Sequence, residues 1–190
     1  MRLIQWGERL FKLINFIGFQ ASWWLLILYQ NQYWWVVAAL LIAHVLLVGE
    51  SLTEIAVVLV AAIAGVITDS LLATFGVYIF SGSWQFLPIP FWLVLLWFAF
   101  ASTLRHSLAY LSKHYWLAAG LGAVGGTLSY VAGMKLQAVT FGLAFYPTVI
   151  LLAAIWACLM PVIFLLSQRV EAVAQRVNGS DTFQTTKEKL

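Results

Sequence analysis

Cysteine is nearly missing from this chain of 190 residues: Cys158 stands alone, which excludes an internal disulfide and any zinc site of the multi-cysteine kind. Charge is scarce as well, at 9% of residues against roughly a quarter in soluble domains. There is no phosphate loop, no Gly-x-Ser-x-Gly elbow and no dinucleotide fingerprint. Neither a cofactor nor a nucleic-acid partner is expected. What the chain has instead is 63% hydrophobic residues, ten tryptophans and apolar runs long enough to cross a bilayer. That composition specifies an all-α, polytopic membrane protein whose immediate partners are membrane lipids.

Six apolar stretches stand out: Leu13–Tyr29, Tyr33–Gly49, Ile55–Phe80, Pro90–Tyr110, Tyr115–Gly133 and Leu143–Ser167. They predict a compact bundle of six transmembrane helices over 13–168. Before it, residues 1–12 read as a basic lead-in rather than a removable signal, and after it 169–190 read as a partly disordered tail. With six spans, Arg2, Arg9, Lys12, Arg105, Lys113, Arg169, Arg176, Lys187 and Lys189 fall on one side and only Lys135 on the other. Cytoplasmic loops retain basic residues, so both termini are expected in the cytoplasm. Cys158, one turn before Pro161, is expected as a small buried residue.

The third stretch carries one carboxylate, Asp69, near its middle. An acid at that depth is costly and its default reading is functional. Ala61, Gly65, Asp69 and Ala73 recur every four residues, so the acid shares a small-residue stripe and faces protein. The fifth stretch has a matching stripe in Ala118, Gly122, Gly126, Ser129 and Gly133, and these two faces are candidates to meet. Entering from the same side, Asp69 and Tyr130 each lie roughly 22 Å along their helices, in the outer half of the bilayer. Ser129, Trp92, Trp97 and Lys135 are expected around them. Such an aromatic site with few polar groups suits a lipid-like or small amphipathic ligand. Equally open is a structural reading, in which Asp69 bonds to Ser129 or Tyr130 and fixes helix register.

A second cluster is expected at the cytoplasmic side: His44, Glu50, Arg105 and His106. Imidazole and carboxylate together can hold a divalent metal or pass protons. No H-E-x-x-H or similar pair is present, and no metal is assigned. Ser51 and Glu54 have capping-box spacing, which gives Glu54 a local role at the helix start. Two function classes follow: a binding protein, alone or as a subunit of a membrane assembly or transporter, and a membrane enzyme of lipid or fatty-acid modification using the His/Glu residues.

NFIGFQASWW at Asn15–Trp24, PFWLVLLWFAFASTLRHSLAYL at Pro90–Leu111 and GGTLSYVAG at Gly125–Gly133 resemble a family of uncharacterised bacterial inner-membrane proteins, a domain of unknown function. Thr127 and Gln137 stand where that pattern calls for Pro and Gly. The resemblance implies location and topology. GVITDSLLATFG at Gly65–Gly76 is similar to a helix of the substrate-binding subunits of energy-coupling-factor transporters and of rod-shape inner-membrane proteins, which implies a compact six-helix-scale fold.

Overall fold

The computed structural model describes residues 2–48, 51–80 and 87–187, and side chains within 7–48, 52–80 and 87–176. The fold is all-α apart from one short ribbon. Helices α1 (Arg2–Tyr29) and α2 (Trp34–Leu47) are joined by a 3-10 turn at Gln30–Tyr33. Gln30 is left-handed there, with φ 50°. As one straight rod, Phe11 and His44 would be about 50 Å apart. Their rings instead lie 6.1 Å apart, so the two helices form an antiparallel hairpin.

Helix α3 (Ser51–Thr74) stops before the expected Phe80. The run stays apolar, but Gly76 takes φ 72°, Val77 N–H reaches Leu72 O and Gly76 N–H reaches Ala73 O. That is a Schellman termination, which a glycine allows at no steric cost. The freed chain forms strand β1 (Tyr78–Ile79), paired antiparallel with β2 (Thr140–Phe141). A side chain on Gly142 would run into the carbonyl of Gly76, so glycines allow the two connectors to close on each other.

Helix α4 (Phe91–Ala101) also ends early, before the expected Tyr110. The cause is local competition for carbonyls: Ser102 Oγ donates to Ala99 O and Thr103 Oγ1 to Phe100 O. From α1, Asn15 Nδ2 donates to Ser102 O at 3.1 Å while Ser107 Oγ donates to Asn15 Oδ1 at 2.8 Å. One buried amide thus holds the turn that follows α4. The next rod comprises α5 (Tyr115–Leu121), a π-helical turn (Gly122–Gly126) and α6 (Thr127–Lys135). It too ends in a Schellman motif, with Gln137 at φ 63° in the left-handed position that glycine usually takes. Helix α7 (Phe145–Lys187) contains Pro161 and continues well past the expected Ser167, so residues 169–187 carry helical backbone.

Four segments are long and apolar enough to cross a membrane: Gly7–Leu47, Leu52–Thr74, Tyr115–Lys135 and Phe145–Arg176. The first contains the α1–α2 hairpin, and α4 is shorter, at 11 residues. Large apolar side chains face outward all along these rods, among them Leu46, Leu52, Phe75, Trp116, Tyr146 and Ile150. An exterior of that kind is matched to lipid, not to water. Cys158, expected inside, is exposed on it.

The small-residue stripes do not principally meet each other. Helix α3 packs mainly on α4 and α7, and α5 with the π turn on α7. A Cβ on Gly65 would overlap the Trp97 indole, and one on Gly126 the Trp156 indole. At Gly122 it would meet Met160 and the Trp156 carbonyl. Each stripe is a groove that receives a bulky side chain from α4 or α7. The Trp97 and Trp156 rings, seated in these grooves, stack 5.4 Å apart at 9°.

Candidate functional site

Asp69 is buried and faces the bundle interior. Its Oδ2 accepts hydrogen bonds from the Tyr130 hydroxyl and from Trp97 Nε1, the latter at 2.6 Å. The equal depth of Asp69 and Tyr130 therefore becomes a direct contact. Long side chains bridge what the helix backbones do not. Ser129 is not a partner of the acid: its Oγ accepts from Trp23 Nε1 of α1 at 2.7 Å. Tyr78, on the strand after α3, stacks on Tyr130 at 4.7 Å and 3°. Aromatic faces and one carboxylate lock four elements together.

Beside this anchor is a cavity of about 450 Å³. Trp97 and Tyr130 form part of its wall, with Trp23, Phe100, Trp156 and Met160 around them. Asp69 lies behind the wall rather than in it. Along α5–α6 the lining runs from Leu121 to Gly133, a length of roughly 18 Å. Trp92 lines the same space, its ring edge-on to Phe80 at 6.1 Å. Lys135 is exposed at the end of α6 and does not line it. The polar side chains on the wall are few, chiefly Gln20 and Ser129, so the space is mainly apolar with isolated polar groups.

Sequence reasoning missed the contributions of α1 and α7. Phe19, Trp23 and Ile27 recur every four residues and point one α1 face at the cavity. That spacing was available in the sequence. Trp156 and Met160 carry no such sign, because α7 is apolar on every face from Val149 to Leu166.

At the opposite end from the ribbon, a second cluster assembles around Glu54, which is fully buried. Glu54 Oε1 lies 2.7 Å from His44 Nε2 and 3.2 Å from His106 Nε2. Arg105 Nη1 donates to Glu54 Oε2 at 3.0 Å, and Arg105 Nε donates to Glu171 Oε1 at 2.7 Å. The capping-box reading of Glu54 is thus incomplete: its carboxylate serves three residues from two other segments. Phe11 packs on both imidazoles, which are themselves 5.0 Å apart. Glu50, expected here, lies outside the described residues, as does the Ser51 side chain.

A family described as "Protein of unknown function (DUF2878)" matches residues 12–162. The chain belongs to that family. No curated protein and no solved structure matches it.

Proposed function

We propose that this member of the family is a multi-pass inner-membrane protein that holds a lipid-like or small amphipathic ligand in the aromatic cavity. The observation that carries the reading is the cavity itself: about 450 Å³, apolar, with isolated polar groups on its wall. Ligand sites fall in this size range and have this character. Its rim includes the exposed apolar residues Trp24, Leu121 and Leu128, so a ligand dissolved in the bilayer meets the opening directly. Asp69 acts as the positioning residue that sets the Trp97 and Tyr130 rings. Such a protein also suits a place in a larger membrane assembly.

Gly125 supplies the test. It lines the cavity, and a Cβ there would meet nothing within 4 Å. Gly125→Leu is expected to fold normally and to fill the space. Brominated fatty acid added to the purified protein in detergent should quench tryptophan fluorescence, with at least about tenfold weaker apparent affinity in Gly125→Leu, a penalty of 1.4 kcal/mol or more. Equal quenching in both proteins would sink the assignment.

Within this reading the chain crosses six times with both termini cytoplasmic. Support comes from the end-to-end arrangement: Phe11, His44, Glu54, Arg105 and Glu171 touch one another at one end, and this is the end richer in basic residues. Single cysteines at Gln30 and Lys135, placed in a Cys158→Ser background, should react with an impermeant maleimide in intact spheroplasts. Labelling only after permeabilisation would reverse the orientation.

A second reading, an enzyme of lipid or fatty-acid modification, is favoured by one observation, the convergence of His44 and His106 on Glu54. It requires turnover that fails when either imidazole is replaced.

A further inference from the structure

Glu54, His44 and His106 come from three different segments, yet their ligand-capable atoms all lie within 4.8 Å of one another. We propose that these three residues form a binding site for one divalent transition-metal ion, independent of the cavity and of whatever occupies it.

Geometry is the first support. Both imidazole Nε2 atoms converge on one oxygen, Glu54 Oε1, at 2.7 and 3.2 Å. In a tetrahedral shell with bonds of about 2.0–2.1 Å, ligand atoms stand about 3.3 Å apart. The trio therefore needs only small side-chain rotations to admit an ion between the three atoms. Two imidazoles and one carboxylate, with a fourth position for water, is a donor set that suits zinc and its first-row neighbours rather than magnesium or calcium.

Preorganisation is the second. Arg105 Nη1 occupies Glu54 Oε2, which leaves Oε1 as the coordinating atom and fixes the carboxylate plane. Outer hydrogen bonds of this kind are what hold ligating carboxylates in place. The Phe11 ring lies 6.1 Å from the His44 ring and 5.1 Å from the His106 ring, limiting their rotation. His106 Nε2 is buried and, for all its closeness to Glu54, lacks a well-aligned hydrogen bond. An ion would satisfy that nitrogen through its lone pair.

Charge is the third. Two carboxylates, Glu54 and Glu171, face the Arg105 guanidinium here, so neutral imidazoles leave the described cluster with an acidic excess. A cation is favoured by that balance in spite of Arg105. The His44 and His106 side chains are 11% and 14% exposed, enough for an ion to arrive from the aqueous face and for water to complete its shell.

The full chain, purified with a non-histidine tag, stripped with EDTA and dialysed, should bind one equivalent of Zn²⁺ in a competition titration. Co²⁺ should give the visible absorption of a four-coordinate ion. His44→Ala and His106→Ala should each weaken binding by more than about tenfold, the scale set by outer-shell losses alone. Asp69→Asn, at the far anchor, should bind within a few-fold of the parent. Variants are compared by circular dichroism and size exclusion, and His44→Gln stands in where an alanine variant fails to fold. Failure of the parent protein to bind at saturating Zn²⁺ and to give the Co²⁺ spectrum would overturn the site. So would undiminished binding by folded His44 and His106 variants.

Discussion

Asp69→Leu is expected to be among the most damaging single substitutions in the bundle, costing about 2–6 kcal/mol, because two buried donors would each lose a partner worth about 1–3 kcal/mol in desolvation. Those donors are the Tyr130 hydroxyl and Trp97 Nε1, both directed at one carboxylate oxygen. Leucine fills much of the volume but accepts nothing. Asp69→Asn keeps a carbonyl oxygen for both donors and orphans neither, so its cost should stay within about 0.5–1.5 kcal/mol, the net worth of one ordinary hydrogen bond. Tyr130→Phe removes one donor without orphaning the other and should fall in the same small range. Unfolding in detergent, followed by tryptophan fluorescence and helicity, separates the cases. If the leucine and asparagine variants are equally stable, the polar anchor contributes nothing to the fold.

Glu54→Ala should cost about 3–5 kcal/mol, the range for breaking a buried ion pair from one side. Removing the carboxylate strips His44 and His106 of their shared partner and takes from Arg105 one of the two acids described beside it. Arg105 retains Glu171, which places the loss toward the lower end. Glu171→Gln tests the asymmetry: its side chain is 34% exposed, so its removal should cost no more than about 1 kcal/mol. The two effects also differ in salt dependence. Raising ionic strength should shrink the Glu171 contribution and leave the Glu54 contribution nearly intact, since buried pairs are screened little. Measurement in EDTA keeps any metal contribution out of the comparison. A Glu54 variant as mild as the Glu171 variant would mean that the buried charges are compensated some other way.

Much of this was legible in the residues. Period-four placement of Ala61, Gly65 and Asp69 turned the acid inward, and helix rise alone put Tyr130 at its level. What a small face cannot reveal is its occupant. Gly65 and Gly126 announced close packing but not that indoles from α4 and α7 would provide it. Hydropathy failed at helix ends for a related reason: the segment from Phe75 to Phe80 is as apolar as α3 itself, and only Gly76 marked the departure from helix. Ser102 and Thr103 gave a comparable sign for α4. At Glu54 a local pattern drew attention away from a larger role, because its partners His44, Arg105 and His106 are linked to it by nothing in the spacing.

The β1–β2 ribbon has a mechanical consequence. Backbone hydrogen bonds join the connector after α3 to the connector after α6, so those two rods are clasped at one end of the cavity. On the opposite flank, α1 reaches α6 through the indole-to-hydroxyl bond of Trp23 and Ser129. A bond of that kind is worth about 0.5–1.5 kcal/mol, little more than thermal agitation supplies. As a container the bundle is therefore fastened unequally: by a backbone ribbon on one side and, where Trp24 and Leu128 stand exposed, by one side-chain hydrogen bond among the described residues with Ile27 close beside Gly133.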